Sequence, residues 1–426
     1  MSVSATIQGG TLTGMLGTNG SATLDGASKG TLTLSTGTLY TGGAGTTTSI
    51  LGTIQNQGNI QLAAGTSQNA GLWVGGGGSN TTTTLTGGGT VTLSNAAGAR
   101  AFIQDGTFSG GNILTNSNNT IQGYGNIGNA TDLKVINGGT LLANVAGQTL
   151  TVDGTGGLTN NGTMQANAGS TLLVTQGFTN FSSGTLTGGT YDVYGTGSSA
   201  GAIQIDALGT TGGEIGTNNA IIMLNGANSG FLDGGGMDAL SALALNGGTL
   251  DILGGRNFST LGAFDNTGTL EIGSTDTFTA NGTFDPPSGD VVFDISGLGV
   301  NGFLDVNGTA NFGGALDLDV TNGFSLASGE KFYLAEYNTL GSQFSPGNID
   351  IAGLDLAPGL TAQVLYGQGA GNNEVELLIG GSITTSATPE PSTWLLFAAG
   401  LGTLAAFRMA RRRRNVAEAS AKDSWA

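Results

Sequence analysis

Six aspartates in the second half of the chain, Asp285, Asp290, Asp294, Asp305, Asp317 and Asp319, come nearest to a reacting centre by type and spacing. Paired carboxylates can hold Ca2+ or act as acid and base at a glycosidic bond. A lyase would also need a basic proton acceptor, and up to Thr388 there are only Lys29, Arg100, Lys134, Arg256 and Lys331, far apart in sequence. Neither the Asp-x-Asp-x-Asp-Gly spacing of a calcium loop nor a Gly-Gly-x-Gly-x-Asp repeat occurs. The alternation Leu316-Asp317-Leu318-Asp319-Val320 places both of its acids on the solvent face of a strand. The chain has no His and no Cys, so the usual base, metal ligands and thiol nucleophile are all missing. Gly75 to Gly78 lack the Lys-Ser/Thr of a phosphate loop and read as a corner. Trp73, Tyr124, Tyr191 and Tyr194 would stack on sugar rings if they faced outward; a thin core is the plainer place for them. The expectation is a protein that is not an enzyme, with no catalytic residue, cofactor or metal site.

A second kind of chemistry, recognition by another protein, is written at the end of the chain. Pro389-Glu390-Pro391 holds a carboxylate in extended backbone. The 14 residues Trp394 to Phe407 carry no charge and would make a helix of about 21 Å, short for a bilayer but able to span with snorkelling arginine stems. Arg408 and Arg411, Arg412, Arg413 and Arg414 would stay on the cytoplasmic face, leaving the body outside. Ser392 or Thr393 would cap this helix, from Ser392 to about Arg413. In this order the three parts resemble the PEP-CTERM sorting signal of Gram-negative bacteria, over about the last 40 residues of the chain. The resemblance implies recognition by exosortase, a membrane enzyme, and delivery from an inner-membrane precursor to the outer envelope or the extracellular space. The 12 residues Asn415 to Ala426 beyond the arginines depart from the pattern of such tags. A plain C-terminal anchor is the alternative, but it has no use for Pro-Glu-Pro at the membrane entry.

Composition bounds the rest. Of 426 residues 81 are Gly and only 9% are charged, so an ordinary helical globule is excluded. Up to Thr388 there are 25 acids against 5 bases, which argues against nucleic acid as a partner of the body. Met1 to Leu12 enter the repeat pattern directly, with no basic and apolar leader, although an export tag calls for one. The expectation is therefore that the natural start lies upstream.

Between Ile7 and about Phe284 two phrases recur. One is Gly-Gly-Thr-apolar, as in Gly88-Gly89-Thr90-Val91, Gly138-Gly139-Thr140-Leu141 and Gly188-Gly189-Thr190-Tyr191. The other is Asn-x-Gly-x-apolar, starting at Asn56, Asn160 and Asn266. Each reads as a turn with Asn or Gly at positive φ, then a short strand alternating apolar with Thr, Gln or Asn. Strands this short bury their apolar side only by stacking coil on coil, in parallel, around a thin core. With about 22 residues per coil, roughly 280 residues would give about 12 to 13 coils, on the order of 60 Å. A β-sandwich array is the alternative. The phrases around Asn119 to Asn129 and Gly157 to Val174 resemble the right-handed parallel β-helix of autotransporter passengers and filamentous adhesins, which covers perhaps two thirds of the chain.

Asp285-Pro286-Pro287-Ser288-Gly289 is expected to end the parallel ladder, because consecutive prolines donate no ladder bonds. Longer strands follow, and residues 285–380 resemble the cap that closes passenger β-helices. The sequence thus divides into a β-helix (1–284), a β cap (285–380), a spacer (381–388), the sorting signal with its short transmembrane helix (389–414) and a cytoplasmic tail (415–426). The role that follows is an exported envelope or extracellular-matrix protein associated with exopolysaccharide or adhesion; an exported polysaccharide lyase or hydrolase on the same scaffold is the other reading.

Overall fold

The computed structural model describes residues 5–381. Strands form where the sequence alternates Thr with an apolar residue. Thr140–Ala143, Thr163–Ala166 and Thr171–Val174 each turn one side outward and bury the other. Each is four residues long, too short to stand alone, and is held by the strands before and after it in the stack.

The chain visits three parallel ladders in turn. In the first circuit these are Ala5–Gln8, Gly10–Leu12 and Met15–Thr18, and each pairs with the equivalent strand of the next circuit. Where a corner is tight, one strand serves two ladders: Thr46–Asn56 joins the first to the second, and Thr120–Gly128 the third to the first. The third ladder runs unbroken from Met15–Thr18 to Ile349–Asp350, about 14 rungs and on the order of 60 Å at the parallel-strand spacing. Coil length varies, from the 17 residues between Ala5 and Ala22 to the 33 between Leu316 and Ile349. Side chains repeat from rung to rung: Val91, Ile121, Leu141, Met164, Tyr191, Ile222 and Leu250 form one fully buried row, and Thr90, Thr120, Thr140, Thr163 and Thr190 flank it. Toward the C-terminus the core turns aromatic, with Phe258 on Phe278, Phe264 on Phe284 and Phe312 on Phe344 stacked at centroid distances of 5.5, 6.1 and 4.9 Å.

The two recurrent phrases are one corner. Asn56, Asn137, Asn160, Asn218, Asn246 and Asn266 precede strands of the third ladder and are wholly buried, none at positive φ. The amide of Asn137 donates to Oδ1 of Asn160 at 2.9 Å, Asn218 to Asn246 at 2.8 Å and Asn246 to Asn266 at 2.8 Å. The same amides also reach main-chain carbonyls one coil on, such as Thr163 and Thr269. The asparagines expected at positive φ in turns are in fact an internal ladder that satisfies corner backbone. The glycines that follow are needed for close approach. A Cβ on Gly162 would meet the carbonyl of Gly139, which instead accepts the amide of Thr163 at 2.8 Å.

The prolines do not end the parallel ladder. Pro286 and Pro287 lie in the corner between Phe284–Asp285 and Asp290–Gly297, where no ladder amide is required. Parallel pairing continues through Asp290–Gly297 to Ala315–Val320. Short antiparallel pairings occur between Phe181–Ser182 and Thr185–Tyr194 and between Asp290–Gly297 and Val300–Asn301, and the stack is closed by Lys331–Ser342, which pairs in parallel with Phe303–Asn311 and antiparallel with Glu374–Gly381. Leu360–Gln368 completes this terminal unit. Among the described residues there is no α-helix, only single turns at Asp206–Leu208, Pro346–Asn348 and Ala352–Leu354, and none could cross a membrane. The expected helix from Ser392 to Arg413 lies outside the described residues.

Candidate functional site

An opening lies at the corners between the third and first ladders. After Asn59–Ala63 and after Thr90–Ser94 the chain makes a six-residue loop, 64–69 and 95–100, and after Thr140–Ala143 a five-residue one, 144–148. The coil between the last two has none. Tyr124 still pairs with Ser94 of the third ladder while Gly125 already pairs with Leu150 of the first. Gly123, at φ 103°, and Gly125 make this corner possible, since a Cβ at either would strike the carbonyl of Leu93 or Ala101. The omitted loop leaves a notch of about 840 Å3 floored by Tyr124 and lined by Asn69, Asn95, Arg100, Asn129 and Gln148.

Three of these residues are bonded to the neighbouring coil. Tyr124 donates its hydroxyl to the carbonyl of Asn95 at 2.6 Å, fixing the ring. Oδ1 of Asn69 accepts the amide of Arg100 at 2.9 Å, and the amide of Asn129 donates to Oε1 of Gln104 at 2.8 Å. The guanidinium of Arg100 is in neither of the ion pairs formed among the described residues, which are Arg256 with Asp238 at 3.2 Å and Lys331 with Glu376 at 2.9 Å. No carboxylate lines the notch. Sequence reading missed it because it exists only by comparison of neighbouring coils; the legible signal was Gly123-Tyr124-Gly125 standing where the adjacent coils carry a loop.

The aspartates flagged from sequence are brought partly together. Asp294 and Asp319 stand side by side in register, as do Asp305 and Glu336. Burial first, and then the charges of Glu271, Asp319 and Asp276, push the Asp294 carboxyl up to about 8. Burial lifts Asp276 to about 6, and burial with the Glu336 charge raises Asp305. Asp290, on the same strand as Asp294, and Asp285 are half-buried. Asp317 does not lie on an open solvent face: it is only 8% exposed, because the turn Ala352–Leu354 lies over the outer side of its strand. No group of three or more His, Cys, Asp or Glu among the described residues is arranged to hold a metal ion.

Acids of another kind fasten corners. Asp105 is fully buried and accepts the amides of Thr107, Gly110 and Asn112 at 2.7 to 3.1 Å. Burial would raise its carboxyl, but the bonds from Asn112 and Thr107 prevail and hold it below its ordinary value. Hydrogen bonds from Ser28 and Ala27 lower Asp25 to about 2. Gly75 to Gly78 form a corner, with Gly75 and Gly76 at φ 80° and 58° and the amide of Gly78 bonded to the carbonyl of Gly75 at 3.0 Å. Of the flagged aromatics Tyr191 lies in the core, while Trp73, Tyr124 and Tyr194 are half-buried.

Pro389, Glu390, Pro391, Trp394, Phe407, Arg408 and Arg411 to Arg414 lie outside the described residues. No curated protein matches the chain. Its C-terminal segment does match a known family: residues 387–414 fit the PEP-CTERM protein-sorting motif. This interval contains all three parts recognised in the sequence: the Pro-Glu-Pro triplet, the apolar run and the arginine cluster. The chain thus carries at its C-terminus a PEP-CTERM signal, the mark of proteins exported across the Gram-negative envelope and processed by exosortase.

Proposed function

We propose that this chain is a non-enzymatic protein of the outer envelope or extracellular matrix, delivered as an inner-membrane precursor and released from its tail by an exosortase-type enzyme. The observation that carries the reading is the sorting motif at residues 387–414. Trp394 to Phe407 span the membrane, Arg408 and Arg411 to Arg414 stay in the cytoplasm, and Pro389-Glu390-Pro391 lies at the outer leaflet within reach of the enzyme. The body, a right-handed β-helix whose parallel ladder continues past residue 284 and is closed by a terminal β cap, is the cargo; 381–388 is the spacer and 415–426 the cytoplasmic tail. Its role is adhesive or exopolysaccharide-associated. Two of the body's few cations are held by carboxylates of their own, which supports a binding surface over a catalytic one.

The test is fractionation of a host that carries exosortase, expressing the native chain or Glu390→Ala with Pro391→Ala. The native body should reach the outer envelope or the medium, while the variant stays in the inner membrane. Identical distribution of the two would reduce the tail to an ordinary anchor.

A further inference from the structure

The notch at Tyr124 has a specific chemical character. Its contributors stand in one row up the stack. Phe102 pairs with Asn126, which brings Arg100, the residue before Ala101–Asp105, to the level of the Tyr124 corner, and both line the notch. Ala70 pairs with Ala101 one coil below, which puts Asn69 beside Arg100. Leu150 pairs with Gly125 one coil above, which brings Gln148 to the same edge. The notch therefore presents a guanidinium, three or more planar amides and the side of a phenol ring, at the rung spacing of about 4.8 Å.

Each group narrows the ligand. Arg100 offers a planar fork of donors that fits a carboxylate with two parallel bonds. The Oδ1 atoms of Asn69 and Asn95 and the Nδ2 of Asn129 are bonded to the fold, so these amides offer chiefly Nδ2 donors and an Oδ1 acceptor, and Gln148 adds an amide with both, a set that neighbouring hydroxyls satisfy. The ring of Tyr124 supplies the apolar contact that the C–H face of a pyranose needs. A volume of about 840 Å3 lies within the range of small-molecule sites, about 300–1,000 Å3. Electrostatics also favour an anion here over the rest of the body: only 5 of the 25 acids up to Thr388 precede residue 201.

We infer that the notch floored by Tyr124, between loops 95–100 and 144–148, binds the uronate residues of an acidic saccharide through Arg100. The inference rests on the reading of the body as a binding surface. Its failure would leave tail processing untouched, because the two are measured separately.

The experiment is calorimetric titration of the full-length protein in detergent, at low salt, with trigalacturonate and with the uncharged trisaccharide maltotriose. The native chain should bind trigalacturonate and not maltotriose. Arg100→Ala should weaken binding about tenfold or more, as expected for the loss of a charge-assisted pair, and Tyr124→Ala should weaken it as well. Lys134→Ala, a cation outside the notch, should bind as the native chain does. Arg100 is exposed, and circular dichroism checks that both notch variants keep the fold. Absence of trigalacturonate binding, equal affinity for maltotriose, or unchanged affinity in Arg100→Ala would overturn the inference.

Discussion

Buried carboxylates in this chain do two opposite things, and the difference lies in what surrounds each one. Asp105 is ringed by amides and an asparagine, so its charge is stabilised in the fold. A depressed carboxyl adds stability that is present above its ordinary pKa of 3.8 and is lost as pH falls through the folded value. Asp105→Ala leaves the amides of Thr107, Gly110 and Asn112 without an acceptor and should cost about 2–4 kcal/mol at neutral pH, read as a lower urea midpoint. Asp294 faces other acids and is raised to about 8, so the folded state holds its proton more tightly than the unfolded state does. Its contribution is complete below 3.8 and disappears as pH rises toward 8. Asp294→Asn should therefore raise stability at pH 9 by about 1–3 kcal/mol after allowance for solvent screening, and leave it nearly unchanged at pH 4. Equal effects at both pH values would contradict this account of the acid row.

At the scale of the element, the corner decides how coils stack. The internal asparagines bond both to one another and to carbonyls of the next coil, so one side chain closes two rungs. Asn137→Ala should cost about 2–3 kcal/mol through unsatisfied backbone groups. Gly162→Ala should cost a comparable amount by forcing apart the Thr163 to Gly139 bond. Hydrogen exchange would localise both losses to the coils on either side. The alternation of Thr with apolar residues announced the strands, and Gly-Gly-Thr announced the corners. What the sequence did not disclose was that Asn56, Asn160 and Asn266 point inward, because polarity alone assigns asparagine to outer turns and its partner lies a whole coil away, 23 residues on for Asn137. Pro286 and Pro287 misled for a related reason: the cost of a proline depends on whether its amide faces a neighbouring strand, and in a corner it does not. The notch was hidden because Arg100, Tyr124 and Gln148 come from three successive coils, set side by side only by register.

Across the whole molecule, stability and destination belong to different parts. The stack from Ala5 to Gly381 is held by nearest-neighbour rungs and closed by the antiparallel strands Lys331–Ser342, Leu360–Gln368 and Glu374–Gly381. Because Asp276, Asp294 and Asp305 all carry raised carboxyls, the C-terminal coils should resist limited proteolysis better at pH 5 than at pH 9. Greater protection at pH 9 would oppose this sign. Where the protein goes depends on residues 387–414. The central claim is tested most directly by the intact mass of the envelope-associated protein purified from a host that carries exosortase. The account predicts a chain ending near Pro389-Glu390-Pro391, without Trp394 to Ala426. A mature protein that retains Arg411 to Arg414 in that host would contradict it.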